Sequence, residues 1–459
     1  MREFLETGVI SPARMRAVDR NAAALGVGAL QLMESAGMAL ARKVREEDPS
    51  GVLILCGKGN NGGDGMVAAR HLQDLEPAVC YLDLPGQSRE TALQLAALRH
   101  CGVELFPVRC EENLNALDRH FSSAGVILDA LLGTGARSGL AGPIAGLVER
   151  ANRSGARIIA ADIPTPGMRA NLVLSFHRPK VAGAETVGIG IPLEAECMTG
   201  PGDLTLVPGR ERSAHKGAGG KVLIIGGGPY QGAPFLAGLG ALRAGADIVR
   251  VASPAFEPVP ELIYERLPGT VITRDHIDDL LRLADLSDVV VMGNGIGEGS
   301  HEVVREVAAR CKKAVFDADA LRLPLPSAEE SLYTPHAGEF TRITGIIPPE
   351  DLSGRGHAVK VAASQGTILL KGPVDVISDG DRVRFNRTGT PLMTAGGTGD
   401  VLAGVAGALF CHLPAFDAAC IAAYANGKAG MAVEYTRGGG LMAGELADHI
   451  PRELFRGGL

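Results

Sequence analysis

The chain has 459 residues, which is long for one domain and predicts two or three. Its residues are 46% hydrophobic and 21% charged, as in a globular protein with a sizeable core, and its net charge of −7 argues against a nucleic-acid-binding protein. The N-terminus has no apolar signal core, and no segment reaches the roughly 18 consecutive apolar residues that a membrane span needs. The eight cysteines form no C-x-x-C pair, which favours reduced, buried thiols over disulfides or zinc ligands. We therefore expect a soluble cytoplasmic protein with no membrane or nucleic-acid partner.

The first half of the chain alternates helical patterns with short apolar runs. Ser11 and Pro12 predict an N-cap and a first helical turn, and residues 28–44 have apolar positions at helical spacing. The apolar runs that follow predict strands over VLILC, AVCYL, VELFPV, GVILDAL, ARIIAAD, NLVLSF, TVGIG and DLTLV. Continuous apolar strands between helices are typical of a parallel sheet that is covered on both faces.

A polar stretch at 208–220, rich in glycine and charge, separates this half from a second one in which the pattern restarts. Strands are predicted there over KVLIIGGG, DIVRVAS, DVVVMGNG, AVFDAD and GTILLKG, with a helix over APFLAGLGALRAG. The segment VDVISDGDRVRFN predicts a hairpin that turns at Asp379 and Gly380, and the chain from Gly397 onward is nearly all helical. The two halves share no convincing repeat. We therefore predict two different α/β domains, residues 1–209 and 210–459.

Residues 57–65, GKGNNGGDG, lie between the strand VLILC and a helical pattern. The first six satisfy G-x-G-x-x-G, which is a weak signal for phosphate binding at a helix N-terminus. The loop is not a Walker A loop, because no Lys-Ser/Thr pair follows its glycines. The motif alone leaves two interpretations open: a ligand-binding loop, or a tight strand-to-helix turn in which Asp64 caps the helix.

Three predicted strand ends offer hard oxygens. Asn61 follows the strand VLILC, a second strand ends at Asp129, and a third, ARIIAAD, ends at Asp162 with Thr165 shortly after it. Because ligands bind outside the carboxyl ends of parallel strands, three polar ends on one rim favour a site over isolated caps. The oxygens of Asn61, Asp129 and Thr165 suit a hard monovalent or divalent cation, and no His or Cys ligand is needed.

The segments QLMESAGMALA, VLILCGKGNNGGDGMVAARHL, VILDALLGTG and ADIP resemble the epimerase domain for hydrated NAD(P)H (NAD(P)HX), also called the YjeF N-terminal domain. The resemblance covers most of residues 11–207. It implies a potassium ion at Asn61, Asp129 and Thr165, and an acid/base residue at Asp162 beside the reactive carbon of the substrate. It also implies that the hydrated dinucleotide is bound by Asn60, Asn61, Gly62, Gly63, Asp64, Gly133, Thr134, Gly135, Ala136, Arg137, Ser138, Gly139 and Asp162.

This half departs from the family pattern after Asp162. The family continues D-I-P-S-G into a longer loop, whereas DIPTPGMRANLVLSFHRPK is short and carries Thr165 in place of serine. Threonine keeps the hydroxyl oxygen for the ion site. The shorter loop is expected to weaken closure over the substrate or epimerisation itself. The alternative of a binding or scaffold module therefore stays open for the first domain.

The segment PLMTAGGTGDVLAGVAGAL carries the strongest signal in the chain. Glycines 396, 397 and 399 open a helix at Asp400, so backbone N–H groups form an anion hole with a carboxylate beside it. In phosphoryl transfer, Asp400 would take a proton from the attacking hydroxyl. The alternative is an N-cap aspartate on an apolar helix, but three glycines cost backbone entropy that a plain cap does not demand.

The second half resembles the ADP-dependent NAD(P)HX dehydratase domain, a ribokinase-like fold, over about residues 213–456. The segments that carry the resemblance are HKGAGGKVLIIGG, GALRAGADIV, GNGIG, DADAL, TPHAGEFTRITG, LLKG and GGTGDVLAG. It implies contacts with the hydrated dinucleotide from Ala233, Gly297, His336 and Asp400. It implies contacts with the adenine nucleotide from Lys371, Gly372, Pro373, Val374, Asp375 and Gly399. Two positions depart from the pattern: Asn294 stands where proline is usual, and Asp375 where threonine is common.

Together the two resemblances imply a bifunctional repair enzyme with an N-terminal Rossmann-like three-layer αβα sandwich and a C-terminal ribokinase-like αβα domain. The first domain would convert R-NAD(P)HX to the S form with K⁺. The second would dehydrate S-NAD(P)HX with ADP (or ATP) and Mg²⁺ through a phosphorylated hydroxyl, releasing AMP and phosphate. The alternative is a vitamin-precursor small-molecule kinase with a non-catalytic N-terminal domain, against which the TPHxGE loop and the fused first domain argue. The glycine-rich apolar helices are compatible with a homo-oligomer.

Overall fold

The computed structural model describes residues 1–133, 140, 142–210, 213 and 215–455. The chain divides into two compact units. The N-terminal unit is Thr7–Pro192, and the C-terminal unit combines Met1–Glu6 with Leu193–Leu459. The predicted fold class, two α/β units on mostly parallel sheets, is confirmed.

The N-terminal unit is built on a sheet of seven parallel strands. The strands are β1 (Val52–Cys56), β2 (Ala78–Leu82), β3 (Glu104–Val108), β4 (Val126–Ala130), β5 (Arg157–Ala161), β6 (Leu172–Phe176) and β7 (Glu185–Val187). The helices are α1 (Pro12–Ala24), α2 (Ala29–Arg45), α3 (Asn60–His71), α4 (Arg89–Leu98), α5 (Asp118–Ser123) and α6 (Pro143–Arg153). The strand order is β3-β2-β1-β4-β5-β6-β7, so β1, β4 and β5 are neighbours.

The core of this unit explains why its strands are continuously apolar. Leu53 and Leu55 pack with residues of α5 and α6, whereas Ile54 and Cys56 face α3 from the opposite side. Both faces of the sheet are therefore covered, which is the usual arrangement of parallel sheets. The helix start predicted at Ser11 is confirmed, since its Oγ accepts a hydrogen bond from the amide of Arg14 at 3.2 Å.

The C-terminal unit is built on a nine-stranded sheet. The strands are β8 (Lys221–Ile225), β9 (Ile248–Ser253), β10 (Ile263–Arg266), β11 (Val289–Met292), β12 (Lys313–Phe316), β13 (Glu330–Tyr333), β14 (Thr367–Leu370), β15 (Asp375–Ser378) and β16 (Val383–Asn386). The helices are α7 (Leu193–Cys197), α8 (Ala233–Arg243), α9 (Ile277–Asp285), α10 (His301–Ala308), α11 (Ala337–Thr344), α12 (Leu352–Ala362), α13 (Thr398–Phe410), α14 (Ala415–Arg437) and α15 (Ala443–Phe455).

The strand order is β10-β9-β8-β11-β12-β13-β14-β15-β16, and only the pairs β14–β15 and β15–β16 are antiparallel. The second of these pairs is the hairpin predicted around Asp379 and Gly380. Alternate residues of β8 point to opposite faces: Val222 and Ile224 pack in the core with α13, and Leu223 and Ile225 pack in the core with α10. The carboxyl ends of β11, β12, β13 and β14 therefore lie at one edge between two helical layers.

The division between the units falls earlier than the linker predicted near residue 209. Residues 193–208 belong to the C-terminal unit, and the side chain of Arg384 explains the attachment. Its guanidinium donates two hydrogen bonds to Asp203, at 2.6 and 2.9 Å, one to the carbonyl of Glu196 at 3.1 Å, and one to the carbonyl of Met198. The predicted strand DLTLV is wrong: Asp203–Leu206 is a 3₁₀ helix, because the Asp203 carboxylate turns back to the amide of Gly200 and to Arg384.

All eight cysteines lie among the described residues and are unpaired, as predicted, and five of them are buried. Within the part of the chain that the structure describes, no single helix is long and apolar enough to cross a membrane. Helices α1 and α2, which are bent by 117° relative to each other, satisfy the length and composition criteria only as a pair.

Candidate active sites

A cavity of about 680 Å³ lies at the carboxyl ends of β1, β4 and β5 in the N-terminal unit. Residues 58–61 follow β1, residues 131–133 follow β4, and Asp162 follows β5, so the three predicted strand ends meet there. Residues of α1 and α2 complete its wall. A cavity of this size holds a drug-sized or nucleotide-sized ligand.

The loop after β1 is a helix start, and its glycines are required by packing. Helix α3 begins at Asn60, so Asp64 lies inside the helix, and the interpretation of Asp64 as a cap is wrong. A Cβ on Gly62 would lie 1.9 Å from the carbonyl oxygen of Gly57, and one on Gly63 would lie 2.5 Å from Cε of Met33. Gly62 and Gly63 are thus buried spacers, whereas Asn60, Asn61 and Asp64 line the cavity.

Asn61, Asp129 and Thr165 come together around the turn after β4, as predicted for a cation site. Asn61 Nδ2 donates to the carbonyl of Leu132 at 3.0 Å, and Thr165 Oγ1 accepts from the amide of Leu132 at 3.2 Å. Asp129 accepts hydrogen bonds from the Thr165 hydroxyl at 2.7 Å, from the Thr165 amide at 2.8 Å and from the Leu131 amide at 3.2 Å. Gly133 continues this turn, and a Cβ there would lie 3.3 Å from Cβ of Asn61.

The donor set fits a potassium ion. Asn61 Oδ1 is buried and, among the described residues, has no hydrogen-bond partner. Asp129 is fully buried, which raises the pKa of its carboxyl, and no described lysine, arginine or histidine forms an ion pair with it. A carboxylate and an amide oxygen in this position suit a hard cation. The other predicted contacts of this loop, Thr134, Gly135, Ala136, Arg137, Ser138 and Gly139, lie outside the described residues.

Asp162 forms a buried ion pair that the motifs did not predict. Lys180 Nζ lies 2.6 Å from Asp162 Oδ1, and the lysine side chain is 3% exposed. The amide of Phe176 also donates to Asp162 Oδ1 at 3.2 Å, and Lys180 donates to the carbonyl of Phe176. Asp162 has a left-handed backbone, with φ of 65°, and the Ser175 hydroxyl donates to its carbonyl at 2.7 Å. Lys180 is the last residue of the segment FHRPK. The sequence motifs indicate no role for this segment beyond the end of the shortened loop.

Two more acids, Asp64 and Asp19, face the same cavity. Burial, with the nearby charges of Asp162 and Asp19, raises the pKa of Asp64 well above its ordinary value, whereas Lys180 opposes the shift. Partial desolvation raises the pKa of Asp19 to about 6, although that residue keeps contact with solvent at the cavity wall. Asp64 is therefore held as a neutral acid, while Asp162 has the cation of Lys180 beside it.

In the C-terminal unit, Asp400 stands at the predicted helix start. Helix α13 begins at Thr398 after Gly397, whose φ is 91°, so Asp400 is the third helical residue and not the N-cap. Gly399 lies against Lys371, because a Cβ on this glycine would be 3.3 Å from Lys371 Nζ. The amino end of α13 therefore presents backbone N–H groups, a carboxylate and an amine together.

A chain of four side chains links the carboxyl ends of three strands to α13. Lys371 Nζ lies 2.8 Å from Asp317 Oδ1, and the Thr334 hydroxyl donates to the same oxygen at 2.8 Å. Asn294 Nδ2 donates to Asp317 Oδ2 at 3.1 Å and to Asp400 Oδ1 at 2.7 Å. Asp317 follows β12, Asn294 follows β11 and Lys371 follows β14, so the sheet topology brings them together.

These contacts set the charge states of the cluster. Burial, reinforced by the charge of Asp317, raises the pKa of Asp400 to about 7, while the hydrogen bond from Asn294 and the charge of Lys371 oppose the shift. Burial opposes the charge of Lys371, but Asp317 and Glu339 outweigh it and raise the pKa of this amine. Lys371 thus stays charged, and Asp400 exchanges its proton near neutral pH, as a general base must.

His336 caps α11. Its Nδ1 accepts hydrogen bonds from the amides of Gly338 at 3.0 Å and Glu339 at 3.3 Å, so its proton lies on Nε2. The side chain is 60% exposed, and its Nε2 lies 3.3 Å from Oε1 of Glu339. Ala233 is the first residue of α8, and Gly297 donates its amide to Asp319 at 3.0 Å.

The turn at residues 371–375 is held by Asp375. Its Oδ1 accepts from the amide of Gly372 at 2.9 Å, and its Oδ2 accepts from Asn386 at 2.9 Å. Burial raises the pKa of Asp375 to about 6. Both carboxylate oxygens are engaged in this turn, so Asp375 shapes the segment, and Gly372 and Pro373 are its exposed residues. Another cavity of about 580 Å³, lined by Arg210, Lys216 and Phe455 among others, contains none of the predicted site residues.

The family models and the relatives that match this chain point to the same family. The chain matches the family described as NAD(P)H-hydrate dehydratase over residues 222–452 and the YjeF-related protein N-terminus over residues 29–192. A bifunctional NAD(P)H-hydrate repair enzyme Nnr of Methanospirillum hungatei is 51% identical over 455 residues, which cover 99% of this chain and 95% of the relative. The chain belongs to the bifunctional NAD(P)H-hydrate repair enzymes.

Two further proteins are similar to this chain. The enzyme of the same name from Pyrobaculum aerophilum is 42% identical and covers 97% of this chain and 98% of its own. The crystal structure of an ADP/ATP-dependent NAD(P)H-hydrate dehydratase from Bacillus subtilis, co-crystallised with ATP/Mg²⁺, is 30% identical with a TM-score of 0.48. It covers 57% of this chain and 98% of that one. The family predicted from the motifs is confirmed, and the repair-enzyme interpretation is favoured over the vitamin-precursor kinase.

Proposed function

We propose that the chain carries out both repair reactions, epimerisation in the N-terminal unit and nucleotide-dependent dehydration in the C-terminal unit. The observation that carries the proposal is the cluster of Lys371, Asp317, Asn294 and Asp400 at the glycine-opened start of α13. It combines a proton acceptor with a fixed cation and backbone donors, which is what phosphoryl transfer to a hydroxyl requires.

Dehydration begins when Asp400 takes the proton of the C6 hydroxyl of S-NAD(P)HX. The hydroxyl oxygen attacks the terminal phosphorus of ADP, the bond from that phosphorus to its bridging oxygen breaks, and AMP leaves. The C6–O bond of the phosphate ester then breaks as a proton leaves C5, which forms the C5–C6 double bond of NAD(P)H. Lys371 and the first amides of α13 stabilise negative charge on the moving phosphoryl group.

The nucleotide binds along Lys371, Gly372, Pro373, Val374, Asp375 and Gly399, and ADP or ATP serves as the phosphoryl donor. Mg²⁺ neutralises charge on nucleotide phosphates when it is bound. The described residues contain no group of three His, Cys, Asp or Glu side chains that could hold a metal. This fits an ion held mainly by phosphate oxygens and water, as Mg²⁺ commonly is. Ala233, Gly297 and His336 contact the hydrated dinucleotide.

Epimerisation uses two carboxyl groups of the cavity: Asp64, whose pKa is raised by burial, and Asp162, which is paired with Lys180. C6 of NAD(P)HX carries both the hydroxyl and the ring nitrogen N1. Asp64 gives its proton to the hydroxyl, the C6–O bond breaks, water leaves, and the N1 lone pair forms a C6=N1 iminium. Water adds to the opposite face of C6 and gives a proton to Asp162, and proton exchange with solvent restores both acids. One carboxyl that gives a proton and a second that takes one form a common acid/base pair.

A bound potassium ion would supply positive charge beside Asp129 at the turn after β4. Asn61, Asp129 and Thr165 would hold it, and the unpartnered Asn61 Oδ1 supports this assignment. Asn60, Asn61, Asp64, Gly133 and residues 134–139 bind the substrate, while Gly62 and Gly63 allow α3 to start close to β1.

The partners are small molecules (NADHX, NADPHX and ADP), with no nucleic acid or membrane. We place the enzyme in the cytoplasm, and we propose a homo-oligomer for its apolar helices.

The test of this function is product stoichiometry. Purified S-NADHX with ADP and Mg²⁺ should yield NADH, AMP and phosphate in equal amounts, with the Asp400→Asn variant inactive. Formation of a stable phosphorylated product without NADH would instead indicate a small-molecule kinase.

A further inference from the structure

Asn294 joins the two acids of the dehydratase cluster through one nitrogen. Its Nδ2 carries two hydrogens, and these go to Asp400 Oδ1 at 2.7 Å and Asp317 Oδ2 at 3.1 Å. The side chain is fully buried, and its Oδ1 is without a hydrogen-bond partner in the described part of the chain. A buried carbonyl oxygen without a hydrogen-bond partner lowers the stability of the fold. The amide at position 294 therefore has a role at the site and not in stability.

The backbone around Asn294 is held in one position. Gly293 and Gly295 both have left-handed backbones, with φ of 117° and 70°. A Cβ on Gly293 would lie 1.9 Å from the carbonyl oxygen of Asp317. The amide of Gly227 donates to the Asn294 carbonyl at 2.9 Å. The amide side chain therefore reaches both acids from a rigid turn.

The contact with Asn294 gives the two carboxylate oxygens of Asp400 different roles. Oδ1 is occupied by Asn294, and within the described residues no hydrogen bond is made to Oδ2. Oδ2 is thus the oxygen that receives the substrate proton. The charged groups around this carboxylate are Asp317 after β12, Lys371 after β14 and Glu339 on α11. Two of these three are acids, so a donor is needed to keep Asp400 in its basic form.

We propose that Asn294 is a positioning residue, which orients Asp400 and favours its ionised form by donating hydrogen bonds to Asp400 and Asp317. The inference rests on the dehydratase function proposed above. Asn294 does not touch the reacting atoms through its donors, and acts through Asp400. It occupies a position where the family pattern has proline, which has no side-chain donor.

The test compares pH profiles of single-turnover dehydration for Asn294→Ala, Asn294→Ser and Asn294→Asp in the full-length protein. Loss of a hydrogen bond to a charged group should raise the apparent pKa of the rate by about one unit in Asn294→Ala. At pH 6 the rate should fall about 10-fold, and at pH 9 by no more than about 3-fold. Asn294→Ser keeps one donor and should shift less, and Asn294→Asp, which adds a charge, should shift more. Gln365→Ala, an exposed amide in the same unit, is the control.

The possible results distinguish a failure of the proposed role of Asn294 from a failure of the proposed dehydratase function. If Asp400→Asn dehydrates normally, the proposed function fails. If Asp400 is required but the profile of Asn294→Ala coincides with that of the wild type, only the inference fails. Should Asn294→Ala not fold, Asn294→Leu, which keeps the volume of the side chain and removes its donors without adding a charge, gives the same decision: an unshifted profile overturns the proposal and an upward shift supports it.

Discussion

The ε-amine of Lys180 lies 2.6 Å from a carboxylate oxygen of Asp162, and only 3% of the lysine side chain is exposed. Breaking a buried pair by removing one partner leaves the other charge uncompensated, so Asp162 would lose the cation that holds its carboxylate in place. We expect Lys180→Met to lower the rate of R- to S-NADHX conversion by roughly 10²-fold, in line with the loss of a general base. Dehydration of S-NADHX should be unchanged.

The measurement follows R-NADHX consumption by chromatography, without ADP. Lys43→Met is the control, since Lys43 forms surface ion pairs with the exposed Glu46 and Glu185. Full epimerase activity in Lys180→Met would show that the Asp162–Lys180 pair is not needed for epimerisation.

The raised pKa of Asp64 predicts a pH dependence of stability. Its carboxyl is neutral in the folded protein but ionises near pH 4 when unfolded, so its contribution is most favourable below that pH. The contribution declines as pH rises from about 4 toward the folded-state pKa. Asp64→Asn should abolish that decline, and its midpoint of thermal unfolding should exceed that of the wild type more at pH 8 than at pH 5. It should also epimerise poorly, because an amide gives no proton.

Calorimetry of both proteins at the two pH values checks this. Asp118→Asn, at an exposed carboxylate, should leave the pH dependence unchanged. An equal difference between Asp64→Asn and the wild type at both pH values would contradict the assignment.

The cation site predicts a specific response to potassium. Binding to the folded state alone raises its stability, so the thermal midpoint of the N-terminal unit should rise with KCl and not with choline chloride at equal ionic strength. Asp129→Asn and Thr165→Val should weaken the response, and Thr165→Ser should retain it because the hydroxyl remains. A wild-type midpoint that moves equally with both salts would exclude the site.

The attachment of residues 193–206 predicts a large loss of stability on breaking one ion pair. Arg384 is 2% exposed and holds Asp203 in a bidentate contact. Arg384→Met should lower the free energy of unfolding by about 3–5 kcal/mol, because it leaves Asp203 buried without its cation. The exposed Arg387→Met should cost little. Urea unfolding of both variants gives the comparison, and equal midpoints would show that the pair does not hold this segment.

Much of the fold was predictable because buried parallel strands are continuous apolar runs. The strands β1 and β2 are apolar over their whole length, β8 and β14 are apolar after their first residue, and all four fall within the predicted segments. The short strands β10 and β13 have polar ends and were not predicted. The error at Asp203–Leu206 has another cause: the apolar alternation there is real, but a distant arginine decides the local conformation.

The candidate sites were partly predictable for the same reason. Asn61, Asp129, Asp162 and Asp400 follow or end predicted strands or begin a helix, where ligands gather in parallel α/β sheets. Lys180 and Asp19 could not be found this way, because they lie at no motif and reach the cavity only through tertiary packing. The contact of Asn294 with Asp317 likewise depends on β11 and β12 being neighbours in the sheet.

The most direct test feeds separated R- and S-NADHX to the wild type, Asp162→Asn and Asp400→Asn, with ADP, Mg²⁺ and K⁺, and follows NADH absorbance. We expect the wild type to convert both epimers, Asp162→Asn to convert only S beyond the slow spontaneous rate, and Asp400→Asn to convert neither. Full conversion of S-NADHX by Asp400→Asn, or no conversion by the wild type, would contradict the proposed function.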